Sequence, residues 1–151
     1  MADYYTNFSF VLKLKDSAQS EYVLDIAQIA NAHRFEQEQL PSTFPEQLQE
    51  HLEDWRFGVE REEEGIWFHS TEGGIDAVCA FVQHLIQKFE IPGPIAFEWS
   101  HDCSKPRTDA YGGGAAIITA QEIKCMTTSD WVADQTRQFA LPHVNAGLPQ
   151  T

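Results

Sequence analysis

Cysteine, basic side chains and long apolar runs are what this chain has little of. Its 151 residues include three cysteines, Cys79, Cys103 and Cys125, an odd number with no CxxC pair. A disulfide framework is therefore not expected, and reduced thiols in a cytoplasm are the default. No apolar run approaches the ~18 residues of a spanning helix, so no membrane span is expected. Met1 to Phe10 carry neither a basic nor an apolar stretch, so no secretory or transit signal is read there. Lys and Arg number 10 against 23 Asp and Glu, a formal charge of −13. Direct binding to nucleic acid or to an anionic membrane is accordingly not expected, because both attract a net positive face.

What is present is ordinary globular material. An apolar content of 42% with 22% charged residues argues against a disordered acidic chain. A chain of this length can bury roughly 68–70% of its unfolded surface in one core without a metal or disulfide staple. We find no repeat or linker long enough to divide it, and expect one domain over 1–140 with a frayed tail over 141–151.

Hydrophobic periodicity orders the elements. Phe8, Phe10, Leu12 and Leu14 alternate with polar residues as in a half-buried strand. Asp16 or Ser17 offers an N-cap to a helix over Ala18 to His33, with Tyr22, Val23, Ile26, Ile29 and Ala30 at helical steps. A short helix over Pro45 to Asp54 follows, with Pro at its first position. Phe57 to Arg61 and Ile66 to Phe68 then read as a hairpin around Glu62-Glu63-Glu64-Gly65. The clearest helix carries Ile75, Val78, Cys79, Val82, Leu85, Ile86 and Phe89 between Gly73-Gly74 and Pro92-Gly93-Pro94. Ile95, Phe97 and Trp99 make a fourth strand, Ala115 to Thr119 and Ile123 to Met126 a further hairpin, and Ser129 or Asp130 caps a final helix at Trp131. The expected fold is α+β: a ferredoxin-like split βαβ core (β-α-β-β-α-β) with a mixed antiparallel sheet, helices on one face, and a C-terminal β-β-α extension.

Two segments attract a functional reading. The first is Ser100 to Gly114, about 15 aperiodic residues and longer than most connections in a compact domain. Lys105 and Arg107 there could clamp an anion, with Gly112, Gly113 and Gly114 supplying a nest of backbone amides and His101 or Cys103 as reactive groups. The bland alternative is a loop pinned by its own salt bridges, since Asp102 and Asp109 cancel the two basic charges, with the glycines in a sheet-edge bulge. A zinc site on His101, Asp102 and Cys103, with Cys125 on a nearby expected strand, would have to recruit a fourth ligand from His69 or His143, and no spacing supports it. No cofactor, metal or catalytic residue is assigned. Cys79, on a buried helical stripe, reads as core.

The second is Glu36 to Glu64, which holds ten acids against Arg56 and Arg61. Glu46, Glu50, Glu53, Asp54, Glu60, Glu62, Glu63 and Glu64, together with an exposed Trp67, would form a face for a basic protein surface, in its sharpest form a mimic of nucleic-acid phosphates. A solvated face that keeps the protein soluble is the plainer reading. Trp55 and Trp99 fall in register with apolar neighbours and read as core.

The Trp99 to Arg107 run with Cys103-Ser104-Lys105-Pro106-Arg107, the Tyr111-Gly112-Gly113-Gly114 that follows, and Thr128-Ser129-Asp130-Trp131 together resemble small uncharacterised bacterial and mobile-element proteins. The resemblance implies no activity and transfers no residue role. The expectation is a non-enzymatic, cytoplasmic protein-binding or regulatory module using its acidic face. The alternatives are a small enzyme or anion-binding domain on the Ser100 to Gly114 loop, or a subunit of a homo-oligomer.

Overall fold

A computed structural model describes residues 2–140; the expected tail and His143 lie outside the described residues. The chain forms strand β1 (Tyr4–Lys13), helix α1 (Ser17–Glu36), a 3-10 helix (Glu46–Asp54), strands β2 (Gly58–Glu62) and β3 (Gly65–Ser70), and helix α2 (Ile75–Phe89). Strands β4 (Ile95–Cys103), β5 (Gly112–Ile118) and β6 (Ile123–Thr127) and helix α3 (Thr128–Ala140) complete it. The architecture is α+β, built on one open six-stranded sheet in the order β2-β3-β1-β4-β5-β6.

Every ladder is antiparallel, so the sheet is not the mixed one expected. Parallel pairing among the described residues is confined to one isolated bridge, Thr6 with Glu72. Alternation sends Phe8, Phe10 and Leu12 of β1, Ile66 and Phe68 of β3, and Phe97 and Trp99 of β4 into the core shared with α1 and α2. Their neighbours Ser9, Val11, Glu60, Glu98 and Ser100 are exposed, so the opposite face of the sheet is open.

β1 divides its backbone between two partners. Tyr4–Asn7 pair with β4, and Phe8–Lys13 pair with β3. Where the backbone pairing with β4 stops, side chains take over: Phe10 stacks on Phe97 (4.7 Å between centroids) and on Phe68 (5.1 Å).

Two elements differ from their expected form. Glu46–Asp54 is a 3-10 helix rather than an α-helix, closed by i to i+3 bonds such as Leu48 N–H to Pro45 O (3.1 Å). Packing sets it, because the segment lies along α2 and buries Leu48 and Leu52, with Trp55 wedged against Phe57 and Phe81. The second is α3, which starts at Thr128 and is capped by neither Ser129 nor Asp130; Thr127 Oγ1 accepts the Asp130 N–H (3.1 Å). It buries no side chain and leaves Trp131, Val132 and Phe139 exposed.

α1 and α2 meet at a polar contact. Tyr22 Oη lies 2.7 Å from His84 Nε2, and the Lys88 ammonium sits over the Tyr22 ring. Burial, and then the Lys88 charge, hold His84 below its ordinary pKa of 6.5; burial raises the Tyr22 hydroxyl. The unfolded chain therefore binds a proton at His84 before the folded one does, so this contact's stability is present above pH 6.5 and is lost as pH falls through the folded value. Denaturant unfolding across that window should show a decline on acidification, and His84→Gln should flatten it; an unchanged slope in the variant would contradict the assignment.

Candidate functional site

Nearly half of the fifteen-residue loop is strand. Ser100–Cys103 extend β4 and Gly112–Gly114 open β5, leaving 104–111 as the connection. The extension exists because Tyr4–Asn7 supply a backbone partner: Tyr4 faces Cys103, Thr6 faces His101 and Asn7 faces Ser100.

This placement disperses the proposed anion clamp. His101 is half-buried with Nδ1 2.9 Å from Thr6 Oγ1, and Cys103 is buried at the strand end. Lys105 and Arg107 stay exposed on the connection. His101 lines a 300 Å³ pocket with Asp102, Asp109, Tyr5 and Tyr111, and neither basic residue contributes to its walls. The charge of that pocket is the opposite of what an anion needs.

The glycines form no amide nest. Gly112 pairs with His101, Gly113 with Ser100 and Gly114 with Trp99, and the Gly113 N–H donates to Thr128 Oγ1 (3.0 Å). Their use is steric. A Cβ on Gly114 would collide with the Trp99 ring and lie 2.5 Å from the Met126 carbonyl; one on Gly112, at φ +133°, would lie 2.9 Å from Thr128 Oγ1. Gly114 lets the buried Trp99 indole lie across β5.

Among the described residues no group of three or more His, Cys, Asp and Glu comes together to hold a metal. Cys125, weighed as a partner of Cys103, instead contacts Cys79 of α2; burial and the adjoining Cys125 thiol push the Cys79 thiol up.

The acidic segment is divided between two layers. Glu46, Glu50 and Glu53 ride on the 3-10 helix beside α2, whereas Glu60 and Glu62 lie on β2 at the sheet edge. Asp54 is structural: its carboxylate accepts from Arg56 Nη2 (2.6 Å) and from the Ala77 N–H (3.4 Å), in the first turn of α2. Glu63 and Glu64 form the hairpin turn, with Glu64 3.7 Å from Lys13. The Glu36 to Glu64 segment expected as one face is thus split between the 3-10 helix, in the helical layer, and the hairpin at the sheet edge.

What the fold does bring together is on the open sheet face. Trp67 pairs across strands with Glu60 and Val11, donates its indole N–H to Ser9 Oγ (2.8 Å), and packs on His69 at 4.0 Å between centroids. His69 Nε2 lies 2.9 Å from the Glu60 carboxylate. Beside them, where β1 switches from β4 to β3, a 520 Å³ cleft opens between Asn7, Ser9, Trp67, His69 and Ser100. Glu60, Glu62, Glu98 and Asp102 share this face with Lys13 and Lys124, so its charge is acidic.

Sequence reasoning missed a larger cleft, of 640 Å³, between the end of α1 and the end of β3, lined by Asn31, Arg34, Phe35, Arg56, His69 and Thr71 among others. The signal was scattered, since Arg34 and Arg56 lie in different elements and carry no shared motif. No helix among the described residues is long and apolar enough to cross a membrane.

No family model, no curated protein and no solved structure matches this chain.

The steric account separates the two sets of loop residues. Gly114→Ala should lower the unfolding free energy by about 1–3 kcal/mol through overpacking against Trp99. Lys105→Ala and Arg107→Ala should each stay within about 0.5 kcal/mol of the unaltered protein. Equal losses in all three, read by urea unfolding, would contradict it.

Proposed function

We propose that this chain is a non-enzymatic, cytoplasmic protein-binding module that receives a basic segment of its partner on the open sheet face. The observation that carries the reading is Trp67, fixed by Ser9 and His69 beside a cleft on an acidic, uncovered surface. An indole held in place loses little entropy when a partner arrives, and its face attracts a lysine or arginine. Glu60 lies directly across the strand from it. The surface shares Glu60 and Glu62 with the Glu36 to Glu64 face expected from sequence and adds Glu98 and Asp102, which lie outside that segment. The order β1-α1-β2-β3-α2-β4 with strands arranged β2-β3-β1-β4 supports reading the core as a ferredoxin-like split βαβ, in which the helices take one face and leave the other to a partner. The cytoplasmic assignment rests on cysteine usage.

The test is calorimetric titration with a short peptide alternating lysine and valine, against its glutamate–valine counterpart. The lysine peptide alone should bind. Its affinity should fall as salt rises and the screening length shrinks from about 10 Å at 0.1 M to about 3 Å at 1 M. Trp67→Ala and Glu98→Gln should both weaken it. Affinity indifferent to salt, or retained in Trp67→Ala, overturns the reading.

A second reading, self-association, is favoured by α3, whose Trp131, Val132 and Phe139 are exposed next to the edge strand β6. Sedimentation velocity should then show a concentration-dependent dimer that Phe139→Glu abolishes; a single monomeric species at all concentrations removes it.

A further inference from the structure

The 640 Å³ cleft at the end of α1 does not stand alone. A second cleft of 470 Å³ runs along the seam between α1 and β2, and the two share Asn31, Phe35 and Gly58 as walls. Their chemistries differ. The seam carries Leu24, Ala27, Ala32 and Val59 together with the polar Gln28 and Glu36, whereas the first cleft carries both Arg34 and Arg56.

Of these two cations, Arg56 is already matched by Asp54 at 2.6 Å. Arg34 has no carboxylate within 4.0 Å among the described residues; it donates Nη1 to the Trp55 carbonyl and lies 4.9 Å from the Phe35 ring centre. Its guanidinium is therefore fixed in direction, with N–H groups left over. Glu72 and Glu36 are the acidic members of the walls, and both are exposed.

Phe35, the wall common to both clefts, is 70% exposed, so its ring is accessible from the groove.

We propose that this continuous groove binds an amphiphilic carboxylate, its charged head at Arg34 and its hydrocarbon chain along Phe35, Leu24, Ala27 and Val59. An arginine followed by the apolar side chains of Phe35, Leu24 and Val59 offers a contact to each half of such a molecule. The site is independent of the open-face surface and of any protein partner.

Octanoate is the probe, titrated into ¹⁵N-labelled protein, with octanol and acetate as controls that each keep one half of the ligand. Octanoate should saturate, moving the amide signals of Asn31, Phe35 and Gly58; acetate should not saturate and octanol should bind more weakly. Arg34→Gln should lower octanoate affinity about tenfold or more, the loss of a charge-assisted hydrogen bond. Because Arg34 also holds the Trp55 carbonyl, Phe35→Glu at the exposed wall serves as the second variant; it leaves the core untouched and should abolish octanoate binding by repulsion. Octanol binding as tightly as octanoate, shifts centred elsewhere, no saturation, or octanoate affinity unchanged in Phe35→Glu would each overturn the proposal.

Discussion

The molecule depends on how β1 spends its backbone. A ten-residue strand could pair along its whole length with both neighbours, yet here its first four residues bond β4 and its last six bond β3. The two halves of the sheet are thereby joined by one strand, and the join is made rigid by phenylalanines: Phe10 reaches Phe68 on one side and Phe97 on the other. The aromatic stack on the covered side and the cleft on the open side are two faces of the same event. Where the hydrogen-bond ladder changes partners, side chains must fill one surface and leave room on the other.

The helical layer answers to a different constraint, the termination of α2. Its first turn follows two glycines with positive φ and has no side-chain cap from Gly74; Asp54, from the end of the 3-10 helix, supplies a carboxylate to the Ala77 N–H. The same carboxylate fixes Arg56. An acid that looks, in sequence, like one more charge in a solvated run is therefore a joint between three segments. Net charge along a chain reports composition, whereas the role of each acid depends on which donors the fold brings within reach.

How much of this was legible in the sequence varies by element. α2 was readable to the residue at its start, after Gly73-Gly74, and to within a few residues at its end, because its apolar stripe is unbroken and glycine and proline punctuate it. The second half of β4 was not: Ser100, His101, Asp102 and Cys103 show no apolar alternation, and their extended conformation comes from pairing with Tyr4–Asn7, nearly a hundred residues earlier. The three glycines were visible but ambiguous, since a nest and close packing against neighbours demand the same lack of Cβ; the Trp99 indole over Gly114, the Trp99 backbone at Gly113 and Thr128 at Gly112 decide between them. Trp67 was correctly set apart by its parity, though the acids expected around it were drawn from sequence proximity rather than from the strands that flank it. The arginine cleft was invisible because its walls come from α1, the stretch before β2, and the end of β3.

His69, Ser70 and Thr71 belong to both of the clefts that border β3, one on the open sheet face and one beneath the end of α1. This short stretch is a party wall. An occupant on one side meets the same backbone that an occupant on the other side must accommodate, and any effect the first has on the affinity of the second is returned in equal measure.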